Sequence, residues 1–186
     1  MTSLSVIKKA PNKNRNRFLL MQIPTARLTL YFFAPDGQWI KAVSAKVSGL
    51  RRFLPSFLDE WWKSAYELKD RQRKKKFHLE IIGGSKPKIV ITGNDGSIQL
   101  ALIKNTRKHL VFQCENNFFY IQFKGYKIEM KKNDHMIATI DKGWMPLRWQ
   151  QMFPANAPIL TLFPDKISEK DDAIITSILY FIMIHR

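Results

Sequence analysis

The sequence predicts a mainly β protein of the α+β class: an antiparallel β-barrel of about 11–12 strands enclosing a hydrophobic C-terminal α-helix, with one additional amphipathic helix. Three observations carry this. Short apolar runs recur between turn signals from residue 18 onward. They are too many for one flat sheet, so the chain must curl closed or split into two packed sheets. The final segment, SEKDDAIITSILYFIMIHR, is apolar on nearly every side of a helix, and such a helix has to be surrounded by protein. Between these, residues 54–68 follow a spacing of three and four rather than two.

The strand runs are, in order, FLLMQI, RLTLYFF, QWIKAV, FHLEII, KIVIT, IQLALI, HLVFQ, FFYIQF, YKIEM, MIATI and ILTLF. Turn chemistry divides them: Pro35-Asp36-Gly37, Gly83-Gly84, Asn94-Asp95-Gly96, Asn116-Asn117, Lys124-Gly125, Asn133-Asp134 and Lys142-Gly143. Successive hairpins make a meander, and closing it protects the edges. The amphipathic helix rests on Leu54, Leu58, Trp61, Ala65 and Leu68, with Pro55 suited to a first turn. Its charges balance, so it is expected to plug one barrel end; Trp61 and Trp62 keep a membrane-surface helix as the alternative. In the last helix Ser168 and Asp171 resemble a capping box, and Glu169, Asp171 and Asp172 suit the positive N-terminus. Its apolar run, 173–184, is shorter than the ~20 residues that span a bilayer. Residues 1–17 read as a basic lead-in and 18–186 as a single domain, with a helical insertion at about 51–70 and a central helix at about 169–185.

Charge points to polyanionic partners. The 186 residues carry 31 Lys and Arg against 15 Asp and Glu, a formal charge of +16. Residues 1–76 hold 17 cations and 5 carboxylates, and the basic clusters are 8–17, Arg51 with Arg52, and Arg71, Arg73, Lys74, Lys75 and Lys76.

Catalytic signatures are not found. Cys114 is the one cysteine, which excludes a disulfide framework and multi-cysteine zinc patterns and fits a reducing compartment. Set in HLVFQCE, it reads as a buried, inert thiol. His78, His109, His135 and His185 are scattered, and Gly83-Gly84 is a turn rather than a phosphate cradle. No paired acid and base stands out, so neither enzyme activity, a metal nor a cofactor is expected.

The stretch MIATIDKGWMPLRWQQMFPANAPILTLFPDKISEKDDAIITSILYFIMIHR resembles the close of a tubby C-terminal-like domain. That superfamily includes tubby, the phospholipid scramblases and the LURP-one proteins, and the likeness is strongest to its short bacterial members. The shared order is a strand with Ile137, Ala138, Thr139 and Ile140, then Lys142, further strand, the acidic approach Asp171-Asp172 and a terminal apolar helix. The resemblance covers about residues 24–186 and implies a barrel with that helix threaded through it, and lipid association. It assigns no numbered residue here to a phosphoinositide headgroup. Nor does it carry over the scramblases' calcium dependence, because no cluster of acidic oxygen ligands is visible.

The expectation is a noncatalytic tubby-like domain, cytoplasmic and peripheral at the membrane, monomeric, holding anionic phospholipid through basic loops. Arg51, Arg52, Arg71, Arg73, Lys74, Lys75 and Lys76 are the candidate headgroup or phosphate contacts, with Trp61 and Trp62 at the interface. The five cations of 71–76 would contribute about 5 kcal/mol at an anionic leaflet before ordering costs. A nucleic acid held by the same patches is the first alternative. Outward Phe118, Phe119, Tyr120 or Tyr126 would stack its bases, though most are expected to point inward. A protein-interaction module with an acidic partner is the second.

Overall fold

The structure is a computed structural model that describes residues 17–23, 29–34, 36–45, 64–72, 74–83, 87–94, 96–142, 150, 157–163 and 167–185. Twelve strands are described: β1 (Arg17–Ile23), β2 (Thr29–Phe33), β3 (Trp39–Ala45), β4 (Ser64–Asp70), β5 (Lys75–Ile82), β6 (Lys88–Gly93), β7 (Gly96–Asn105), β8 (His109–Cys114), β9 (Asn117–Lys124), β10 (Lys127–Lys132), β11 (His135–Asp141) and β12 (Ile159–Leu162). The helix α1 (Glu169–His185) follows them.

Each strand pairs antiparallel with its sequence neighbours, and β1 closes onto β12 through Arg17↔Thr161, Phe18↔Leu160 and Leu19↔Ile159, making a closed barrel. The tight turns dictate this order. Asn133 and Gly125 hold φ of 52° and 56°, left-handed conformations that asparagine and glycine tolerate best, at the β10–β11 and β9–β10 turns.

Alternation along the strands aims every second side chain inward: Leu79 and Ile81 on β5, Ile89 and Ile91 on β6, Ile128 and Met130 on β10 are all buried. These meet α1, which runs ~25 Å at about 1.5 Å per residue. Residues 173–182 of the helix are all buried, with Ile178, Leu179 and Tyr180 at 0% exposure. The interior is therefore a packed core. Tyr180 lies 4.6 Å from Tyr66 between ring centroids, Phe181 meets Phe112 edge-on at 5.6 Å, and burial pushes the Tyr180 phenol far above its ordinary range.

Each of the eleven expected runs lies on a described strand, RLTLYFF from Thr29 onward, and the C-terminal helix forms. The amphipathic helix expected at 51–70 is corrected over its last part. Residues 64–70 are strand β4, inserted between β3 and β5, while 51–63 lie outside the described residues. The period-two signal is Tyr66 and Leu68, buried at 4% and 3%, against Glu67 and Lys69 turned outward. The helical stripe used Ala65 and Leu68, which point to opposite faces of a strand. Arg17, placed in the lead-in, is the first residue of β1; the remainder of 1–17 is outside the described residues.

Because turns of a meander alternate between ends, the barrel has two distinct rims. The β4–β5, β6–β7, β8–β9 and β10–β11 turns share the end where α1 begins. The β7–β8 and β9–β10 turns and the end of β11 lie at the other.

Candidate functional site

At the N-terminal end of α1 the barrel closes on the helix through charge. Ser168 Oγ accepts the Asp171 backbone N–H at 3.0 Å, the cap its sequence suggests. The three acidic residues of the first turn each take a lysine from a different strand. Lys76 on β5 reaches Glu169 at 3.1 Å, Lys132 on β10 reaches Asp171 at 2.8 Å, and Lys41 on β3 reaches Asp172 at 2.5 Å. Lys41 also donates to Thr176 Oγ1 at 2.7 Å and sits 4.8 Å from the centroid of the Phe32 ring. Burial holds the Lys41 ammonium below its usual range, against the opposing pull of Asp172. Lys170 donates outward to Glu115 at 2.9 Å. These groups form a collar of ion pairs that clamps the helix. Ser168 supplies the cap, while the Asp171 and Asp172 carboxylates anchor the first turn to the barrel wall.

The basic run is at this same end. Arg71, Lys74, Lys75 and Lys76 are exposed around the β4–β5 turn, whereas Arg51, Arg52, Arg73, Trp61 and Trp62 lie outside the described residues. Tertiary structure answers part of the run's charge. Glu67 lies 3.7 Å from Lys75 and 3.3 Å from Lys69, and Glu169 takes Lys76; the Asp70 carboxylate accepts the Lys74 backbone N–H at 2.9 Å, which fixes the turn rather than the ammonium.

A second basic surface forms at the opposite end, where Lys104, Arg107, Lys108, Lys124, Lys127 and Lys142 are all exposed. It was invisible as a cluster because its cations are spread singly or in pairs over nearly forty residues, from three separate strand ends. The turn signals Lys124-Gly125 and Lys142-Gly143, with the alternation of turn ends, place Lys124, Lys127 and Lys142 on one rim; Lys104, Arg107 and Lys108 lie at the β7–β8 turn, which carries no Gly, Pro or Asn-Asp signal of that kind. Tyr126, at the β9–β10 turn, is 77% exposed.

Other candidate chemistry disperses. A groove of about 260 Å³ on the outer face of β8–β10 is lined by His109, Val111, Tyr120, Gln122, Glu129 and Lys131, with no nucleophile and base in bonding geometry among the described contacts. Cys114 is buried at 2% exposure, and burial, aided by Glu115, pushes its thiol up. Among the described residues no group of three His, Cys, Asp or Glu is placed to hold a metal, and no helix is long and apolar enough to cross a membrane. Of the four aromatics weighed for base stacking, Phe119 points into the core at 1% exposure, Phe118 is half-buried against Tyr120, and Tyr120 and Tyr126 stand outward. No protein-family model matches the chain, and neither a curated protein nor a solved structure matches it.

Proposed function

We propose that this chain is a noncatalytic, tubby-like barrel that associates peripherally with anionic phospholipid surfaces through the basic hairpin loops at its ends. The observation that carries the reading is where the charge surplus sits: exposed lysines and arginines gather at the strand ends, on loops able to meet a surface together, while the interior is filled by α1. Each cation held near an anionic leaflet contributes about 1 kcal/mol, so a few acting together give reversible attachment. A closed barrel around an apolar C-terminal helix is what the tubby-like resemblance of about residues 24–186, strongest over 136–186, implies. A nucleic-acid reading draws on the outward Tyr120 and Tyr126 and ranks second. The test is flotation with phosphatidylcholine vesicles carrying increasing phosphatidylserine. Binding is expected to climb steeply with the anionic fraction and to be negligible on neutral vesicles; equal binding to both, or none to either, refutes the reading.

A further inference from the structure

We infer that the membrane-facing end of the barrel is the rim at the C-terminal end of α1, with Tyr126 entering the headgroup region; this rests on the lipid reading above. The rim belongs to five consecutive barrel strands, β7 to β11, so its loops stand side by side. Backbone hydrogen bonds tie them together: Phe123 N–H donates to the Lys108 carbonyl at 2.9 Å, and Lys142 N–H donates to the Tyr126 carbonyl at 2.8 Å. Lys104, Arg107, Lys108, Lys124, Lys127 and Lys142 therefore lie on one arc, about 19 Å across four inter-strand spacings.

Among the described residues, two carboxylates, Glu129 and Asp141, lie within that arc. Glu129 is shared by Lys124 at 2.6 Å and Lys127 at 3.4 Å, so one negative charge meets two positive ones and the surplus stays. At the other rim six lysines, Lys41, Lys69, Lys75, Lys76, Lys132 and Lys170, meet five carboxylates within 4 Å, only Glu67 being shared, by Lys69 and Lys75. Among the described residues, the run most conspicuous in the sequence thus belongs to the end with more carboxylates paired to its lysines. An arc spread over five strands matches an extended negative plane rather than one compact headgroup. Tyr126, at 77% exposure, sits at the β9–β10 tip with a ring suited to the polar–apolar boundary.

The test compares two triple variants of equal net charge. Lys104→Gln with Lys108→Gln and Lys142→Gln strips the arc, and Arg71→Gln with Lys74→Gln and Lys75→Gln strips the run. At about fivefold per cation, the arc variant is expected to lose roughly a hundredfold in partitioning to phosphatidylserine vesicles, and the run variant only a few fold. Equal losses, or the larger loss in the run variant, overturn the orientation while leaving lipid binding standing; a wild-type chain that ignores anionic vesicles overturns both. Insertion is read separately with an environment-sensitive dye on Tyr126→Cys, Cys114 being buried, and on Asn116→Cys at the opposite rim as control. A blue shift on vesicles at position 126 alone is expected. A shift at 116 alone, a shift at neither position, or tighter binding of the arc to single-stranded DNA than to vesicles overturns the inference.

Discussion

Ile178 lies at the middle of α1 with 0% exposure, walled in by inward side chains of the barrel. Replacing it with alanine removes three buried carbons, about 2.4 kcal/mol in transfer free energy at ~0.8 kcal/mol each. A closed barrel cannot collapse onto the gap as a surface site does, so the cavity raises the expected cost toward about 4 kcal/mol. For a chain of this size that is a fall in Tm of about 8–16 °C. Ile178→Asp adds an unpaired buried carboxylate worth several kcal/mol more, which consumes most or all of a typical total stability of about 5–15 kcal/mol. Thermal melts followed by far- and near-UV circular dichroism measure both, with Ile103→Ala, on the outward face of β7 at 51% exposure, as the control expected to shift Tm by a degree or two. A folded Ile178→Asp protein with wild-type Tm would refute the placement of α1 inside the barrel.

Four further outcomes follow from the same geometry. Lys41→Met should destabilise by about 2 kcal/mol, because Asp172 and Thr176 lose a charged donor, whereas Lys41→Met combined with Asp172→Leu should recover most of the loss; additive losses in the double-mutant cycle would contradict a coupled pair. The Lys41 pKa is lowered on folding, so between that lowered value and the ordinary 10.5 the unfolded chain binds more protons. Its contribution to stability therefore rises with pH across that window, and the rise should vanish when wild type is compared with Lys41→Met in alkaline denaturant titrations. Gly93→Ala should cost about 1–3 kcal/mol by urea denaturation, since a Cβ there would meet the Phe77 ring at 2.8 Å; it should be relieved in a Phe77→Leu background, and an unchanged midpoint would mean the ring moves freely. Cys114 should react with Ellman's reagent only as fast as the chain opens, with a rate that follows denaturant; rapid labelling of native protein would contradict its burial.

Most of the fold was legible because short strands and tight turns announce themselves locally. Leu79 and Ile81 are separated by Glu80, Ile128 and Met130 by Glu129, and an all-round apolar segment such as 173–182 has nowhere to go except a protein interior. β4 was missed for an equally physical reason. Ala65 and Leu68 satisfy a helical step of three, while Tyr66 and Leu68 satisfy a strand step of two, and only pairing with β3 and β5 decides between them. The candidate site was less legible, since charge clusters in sequence need not be charge surpluses in space. Glu169 is ninety-three positions from Lys76 yet neutralises it, whereas Lys108, Lys124 and Lys142 are far apart in the chain and share one rim. Local composition reports neither the cancellation nor the convergence.

The most direct measurement sets the two polyanions against each other: cosedimentation of the protein with phosphatidylserine vesicles, with and without competing single-stranded DNA, across a salt series up to and above physiological ionic strength. Both interactions weaken as salt screens charge, but a surface that also admits Tyr126 should keep a measurable vesicle-bound fraction after DNA has been released. Vesicle binding that persists at moderate salt and resists DNA is the expected result. Equal competition, with both complexes vanishing together as salt rises, would contradict a lipid-directed surface and leave a barrel whose charge attracts any polyanion alike.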